Sequence, residues 1–186
     1  MKKSAILFLL FFILTGCIPV GYRMNMVKPV NSSVFEDDNI KIIFSIKQEA
    51  FMGVEGVQQY KQYSGITFNF TNKTDKTIII DWNQISFKDY TGSSGRAVMH
   101  SGLKYNECSN LKAPTTVPAK GQFSDIIIPC YALEFKTFDG FAPARWNISM
   151  LPSPRQCPKI QFGFFVPLKI GENTVDYNFE FQAIAD

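Results

Sequence analysis

The sequence is poor in the residues on which most metal and acid–base chemistry relies. Histidine occurs once, as His100, and the four cysteines, Cys17, Cys108, Cys130 and Cys157, form no CxxC pair. Zinc sites use closer ligand pairs than the spacing between His100 and Cys108, so no metal centre is expected. No G-x-S-x-G turn is present. Ser101, His100 and Asp89 therefore lack the setting of a nucleophile–base–acid triad. No catalytic residue, no cofactor and no enzymatic activity are expected. Basic blocks are also missing. The formal charge is only +3, and Lys2 and Lys3 supply two of the positive charges. Affinity for nucleic acid comes from clustered lysine and arginine, which excludes that partner class. No apolar run reaches the roughly 20 residues that a membrane-spanning helix needs, and no helical period is sustained.

Phenylalanine is abundant, with 18 residues, and much of it alternates with polar side chains. Ile42, Phe44 and Ile46 share one parity. Ile66, Phe68 and Phe70 alternate with Thr67, Asn69 and Thr71. Val175, Tyr177, Phe179, Phe181 and Ala183 alternate with Asp176, Asn178, Glu180 and Gln182. A period of two is that of a strand with one buried face. Turn residues at 72–76, 89–95, 139–140 and 171–173 divide these runs. The pattern predicts strands over 40–46, 66–71, 77–82, 84–88, 96–100, 122–129, 144–150, 160–168 and 174–184, the last two paired as a terminal hairpin. Short helical turns are expected over 57–63 and 131–135. Residues 101–121 form the longest irregular stretch, of a length usually functional or mobile. Residues 151–158, with three prolines, read as loop. Eight or nine strands without a long helix predict an antiparallel β-sandwich over residues 39–186.

The beginning of the chain has a different character. Lys2 and Lys3 precede an unbroken apolar run from Ala5 to Leu14, and Leu14-Thr15-Gly16-Cys17 comes next. A basic start and a short apolar run are the first two parts of a secretory signal. The last four residues resemble the lipobox of bacterial lipoproteins. The resemblance implies cleavage between Gly16 and Cys17, a diacylglycerol group on the Cys17 sulfur, and an acylated new amino terminus. Two or three acyl chains hold a protein firmly where one holds it marginally. An ordinary signal peptide and an uncleaved helix are the alternatives. Residues 1–16 are thus expected to be a signal peptide in helical form. Residues 17–38, with Pro19, Gly21 and Pro29, are expected to be a lipidated flexible tether. Removal of the signal leaves about 170 residues, enough for one ordinary domain, and a charge of about +1. Ile18, in place of the aspartate that retains such proteins in the inner membrane of enteric bacteria, points by the same resemblance to the periplasmic face of the outer membrane. The cell surface and the inner membrane stay open.

Export makes a disulfide plausible. With Cys17 assigned to lipid, three thiols remain, and their spacing does not fix a pairing. Cys108 with Cys157 is preferred, because both sit in polar or proline-flanked surroundings. Trp82 and Trp146 are read as core side chains rather than ligand-stacking ones. Glu36, Asp37 and Asp38 lack the spaced oxygens of a calcium loop and are read as a solvated patch. Asn31, Asn69, Asn72 and Asn147 each open an N-x-S/T triplet, read as coincidence.

The run from Phe68 to His100, with its turn, the Asp81-Trp82 strand end and the Gly-Ser turn, resembles a module of small bacterial lipoproteins with immunoglobulin-like sandwiches. The resemblance transfers no catalytic residue. An anchored domain without catalytic groups is expected to be a binding or scaffolding module, held to membrane lipid through Cys17 and partnered by another envelope protein. A small-ligand or glycan binder using the 101–121 loop is the alternative.

Overall fold

Alternation decides the architecture. In the computed structural model, Tyr177, Phe179, Phe181 and Ala183 are buried, while Asp176, Asn178 and Glu180 between them are exposed. The structure describes residues 21–52, 59–95, 98–99, 102, 104–137 and 145–185. At 48–52, 59–64, 98–99, 105 and 145–147 the description is of the backbone. Among these residues the chain forms fourteen strands and no α-helix. They are β1 (Tyr22–Lys28), β2 (Val34–Glu36), β3 (Ile40–Met52), β4 (Gln59–Asn72), β5 (Ile78–Ile80), β6 (Ser86–Lys88), β7 (Ser94–Gly95), β8 (Val98–Met99), β9 (Thr115–Val117), β10 (Gln122–Pro129), β11 (Leu133–Lys136), β12 (Arg145–Ile148), β13 (Lys159–Ile170) and β14 (Asn173–Ala185). The excess over the expected eight or nine comes from β1, from the four-residue β11, and from β2, β7 and β9, whose two or three residues are too short to show a period.

Two antiparallel sheets share one core. The first runs in the order β1-β14-β13-β5-β9, with β6 and β7 on the same edge of β13. The second runs β2-β3-β4-β10-β8, and β11 with β12 forms a separate ribbon. Aromatic rings join the sheets edge-on. Phe35 meets Tyr177 and Phe179, and Phe44 meets Phe179 and Phe181, with centroids 5.0–5.7 Å apart. Each such side chain, fully buried, contributes roughly 1.5–3 kcal/mol, with up to about 1.5 more from the ring geometry. The terminal hairpin has the expected register, Ile170 opposite Asn173 and Lys159 opposite Ile184. Gly171 turns it at φ +60°, a conformation glycine adopts without a Cβ penalty. β13 continues through Pro167 because its outer neighbour changes there. β6 pairs with residues 163–165 and β5 with 168–170, so among the described residues Val166 and Pro167 face no strand on that edge.

Three expectations are corrected. Residues 22–28 and 34–36, expected within the flexible tether of 17–38, are sheet strands. β1 pairs with β14 from Tyr22–Ala185 to Lys28–Glu180, with Tyr22 and Met26 buried. Residues 59–63, expected in a helical turn, pair with 48–52 as an extension of the β3–β4 ladder. That ladder hydrogen-bonds one edge of each strand to the other, whereas one helical turn leaves most of its polar groups unpaired. Of residues 131–135, expected in a second helical turn, 131–132 lie in a 3₁₀ turn over Cys130–Ala132 and 133–135 belong to β11.

Candidate functional site

Gly16 and Cys17 lie outside the described residues, but the chain is fixed in place a short way beyond them. β1 begins at Tyr22, five residues beyond Cys17. The buried Tyr22 hydroxyl donates to the Cys157 carbonyl at 2.5 Å, which ties the start of β1 to the loop before β13. Among the described residues, no helix is long and apolar enough to cross a membrane.

The thiols pair differently from the expected Cys108–Cys157. The disulfide joins Cys108 to Cys130, with Cα atoms 5.7 Å apart, and Cys157 is a free thiol. The reason is tertiary. Ile126, Ile128 and Cys130 fall on the parity of β10 opposite to the core residue Ile127, where they pack with Cys108, Leu133 and Ile148 in a second apolar cluster. The bridge pins the irregular loop across that face. Lys112 fastens the same loop. Its buried ammonium donates to the Cys108 carbonyl at 2.6 Å and the Asn110 carbonyl at 3.2 Å, and burial lowers its pKa. Its backbone exchanges two hydrogen bonds with the Asn83 side chain, at 2.8 and 2.9 Å.

The other singled-out residues serve mostly structural ends. His100 and Ser101 lie outside the described residues. Asp89 directs Oδ1 at the Thr91 amide, the Thr91 hydroxyl and the Ser93 amide, at 2.7–2.9 Å, which builds its own turn. Trp82 is buried against Phe68 and Phe123 and donates from Nε1 to the Thr115 hydroxyl at 2.9 Å. Trp146 lies on β12, and its side chain is outside the description. The acidic patch is solvated, with Glu36 and Asp38 exposed, and Glu36 and Asp37 also hold fixed partners. Glu36 pairs with Lys73 at 2.9 Å and Lys41 at 3.3 Å, and their hydrogen bonds and charges hold its carboxyl below the usual range. Asp37 Oδ1 accepts the amides of Asn39 and Ile40 at 2.8 Å, and Oδ2 accepts the Tyr177 hydroxyl at 2.9 Å. Among the described residues, no three acidic, cysteine or histidine side chains are placed to hold a metal ion.

The asparagine triplets differ from one another. Asn69 accepts the Ser124 hydroxyl across the strands at 2.7 Å, and Asn25 donates to Asn31 at 3.4 Å. Asn147 sits on β12. Asn72 is buried and fully engaged. Nδ2 donates to the carbonyls of Lys76, Val117 and Pro118, at 2.7, 3.3 and 2.9 Å, and Oδ1 accepts from the Thr74 amide and hydroxyl.

One concavity was not legible in the sequence. A cleft of about 290 Å³ lies between the Asp89–Gly92 turn and the first sheet, lined by Lys88, Gln161, Gly163 and Glu180. Gly163 makes it, standing between Lys88 and Glu180 in register. A Cβ there would come within 2.8 Å of the Phe179 carbonyl oxygen, so no side chain fills the floor. Glu180 is held at the rim by Lys28 at 3.0 Å. The volume is at the small end for ligand sites and suits a small polar molecule. The only sequence signal was a glycine inside a strongly alternating strand.

No protein-family model and no curated protein matches this chain.

Proposed function

We propose that the chain is a lipid-anchored protein of the bacterial cell envelope whose immunoglobulin-like sandwich, carried on an acylated Cys17, docks another envelope component. The observation that carries the reading is Leu14-Thr15-Gly16-Cys17, placed directly behind a short apolar run and just ahead of the first sheet strand. Ile18 favours the periplasmic face of the outer membrane. For docking, the second sheet offers an edge. β2 covers β3 only over residues 41–43. The ladder from Gln48–Tyr63 to Met52–Gln59 hydrogen-bonds to no third strand among the described residues. Such an edge accepts an added strand through main-chain bonds. Cys17→Ser tests the anchor. The variant is expected to lose the lipid mass and to leave the membrane fraction; unchanged partition with lipid would overturn the reading.

A second reading, a small-ligand or glycan binder, is favoured by the cleft over Gly163. A ligand binding only the folded state raises the melting temperature by mass action. Thermal shifts with monosaccharides and peptidoglycan fragments therefore test it, and the absence of any shift at millimolar concentration would remove it.

A further inference from the structure

We infer that the end of the sandwich carrying Arg23, Arg155, Lys159 and Ile184 rests on an anionic lipid surface. The inference depends on the anchoring of Cys17 proposed above and names the face that the anchor brings to the bilayer.

The reach of the chain comes first. An extended residue spans at most about 3.6 Å, so the five steps from Cys17 to Tyr22 reach no more than about 18 Å. β1 cannot drift further than that from an acylated cysteine, because Tyr22 is buried and paired with Ala185. A tether of twenty residues would have left the orientation free; this one sets which end faces lipid.

Register then shows what that end presents. Arg23 is opposite Ile184 on β14, and Ile184 is opposite Lys159 on β13. The three form one cross-strand row, the first beyond the start of β1, and all three are exposed. Ile184 is 48% exposed, unusual for an aliphatic side chain flanked by two cations. Arg155, in the loop tied to Tyr22 through Cys157, is exposed as well. The next row on the same face, Asn25, Gln182 and Gln161, is neutral. Among the described residues the first acid on that face, Glu180, lies four residues up β14, about 13 Å away, and is paired with Lys28. Asp186, next after Ala185 in sequence, lies outside the described residues. Cations around one apolar side chain match a headgroup layer, where the aliphatic group enters the acyl boundary and the charges meet phosphate.

The test uses the full chain, expressed in a bacterium and purified from membranes in detergent. Intact mass first reports the acyl groups on Cys17. Ile184→Trp and Lys169→Trp, at opposite ends of the first sheet and both exposed, are then reconstituted into vesicles containing brominated phosphatidylcholine, with or without phosphatidylglycerol. Quenching is measured against the unsubstituted protein. The tryptophan at 184 is expected to be quenched about twofold or more beyond that at 169, and more strongly with anionic lipid, the excess falling when Arg23→Gln and Lys159→Gln are combined. Equal quenching at both positions, or no dependence on lipid charge, in a protein whose mass shows the lipid overturns this inference and leaves the anchor standing. A mass without acyl groups overturns the anchor and this inference together.

Discussion

Asn72 shows how much one side chain can hold. Its amide engages three carbonyls on two loops and two groups of Thr74, with no exposure to solvent. Asn72→Ala orphans the buried carbonyls and is expected to cost about 2–4 kcal/mol in urea unfolding; a loss below about 0.5 would show that water replaces the amide. Tyr177 governs the alkaline limb. Burial, the largest effect, pushes its pKa up to about 12; the hydrogen bond from Asn39 opposes it, and the bond to and charge of Asp37 add to it. A raised folded pKa means stability that is whole below the unfolded value near 10 and is lost as pH climbs through the folded one. Wild type should therefore lose stability between about pH 10 and 12, and Tyr177→Phe should flatten that limb. The flattening should be partial, because burial also raises the pKa of Tyr131. An unchanged limb in Tyr177→Phe would place the titration elsewhere. The turn at Asn72 was legible from its composition; its clamp on residues 117–118 was not, since 45 positions separate donor and acceptor.

At the scale of elements, β1 and the bridged loop are the two places where local sequence and structure part. Tyr22, Met24 and Met26 alternate with Arg23 and Asn25, yet methionine and asparagine carry little β preference, and Gly21 and Pro29 flank the run. Its strand character comes from pairing with β14. Met26 is wholly buried, so Met26→Ala is expected to destabilise by about 2–4 kcal/mol, measured by denaturant midpoint. A change near zero would return the segment to a tether. The disulfide closes a loop of 22 residues in separation, worth about 3 kcal/mol in the chain-entropy account. Replacing Cys108 and Cys130 together by serine should cost that order, while Cys157→Ser should cost far less. A non-reducing peptide map should show 108 linked to 130; a 108–157 link would reverse the assignment.

For the whole molecule, the direction of the second sheet matters. Phe35 meets Tyr177 and Phe179, and Phe44 meets Phe179 and Phe181, so β3 advances toward the end where β1 begins. The open edge beyond Lys47 is therefore displayed at the end where β1 begins, and under the proposed anchoring a partner taken there docks beside the bilayer. A photo-cross-linking residue at position 49 is expected to trap that partner in intact membranes and one at 172 is not; the reverse pattern would move docking to the far end. The sequence by itself determined the all-β character, the inward parity of the long strands and the terminal hairpin, because a period of two and turn chemistry are local properties that neighbouring residues carry together. Tertiary structure alone decided that β1 joins the first sheet, that Cys108 meets Cys130, and that Gly163 floors a cleft. Each depends on which distant segments lie side by side, and no residue records its partner in its own neighbourhood.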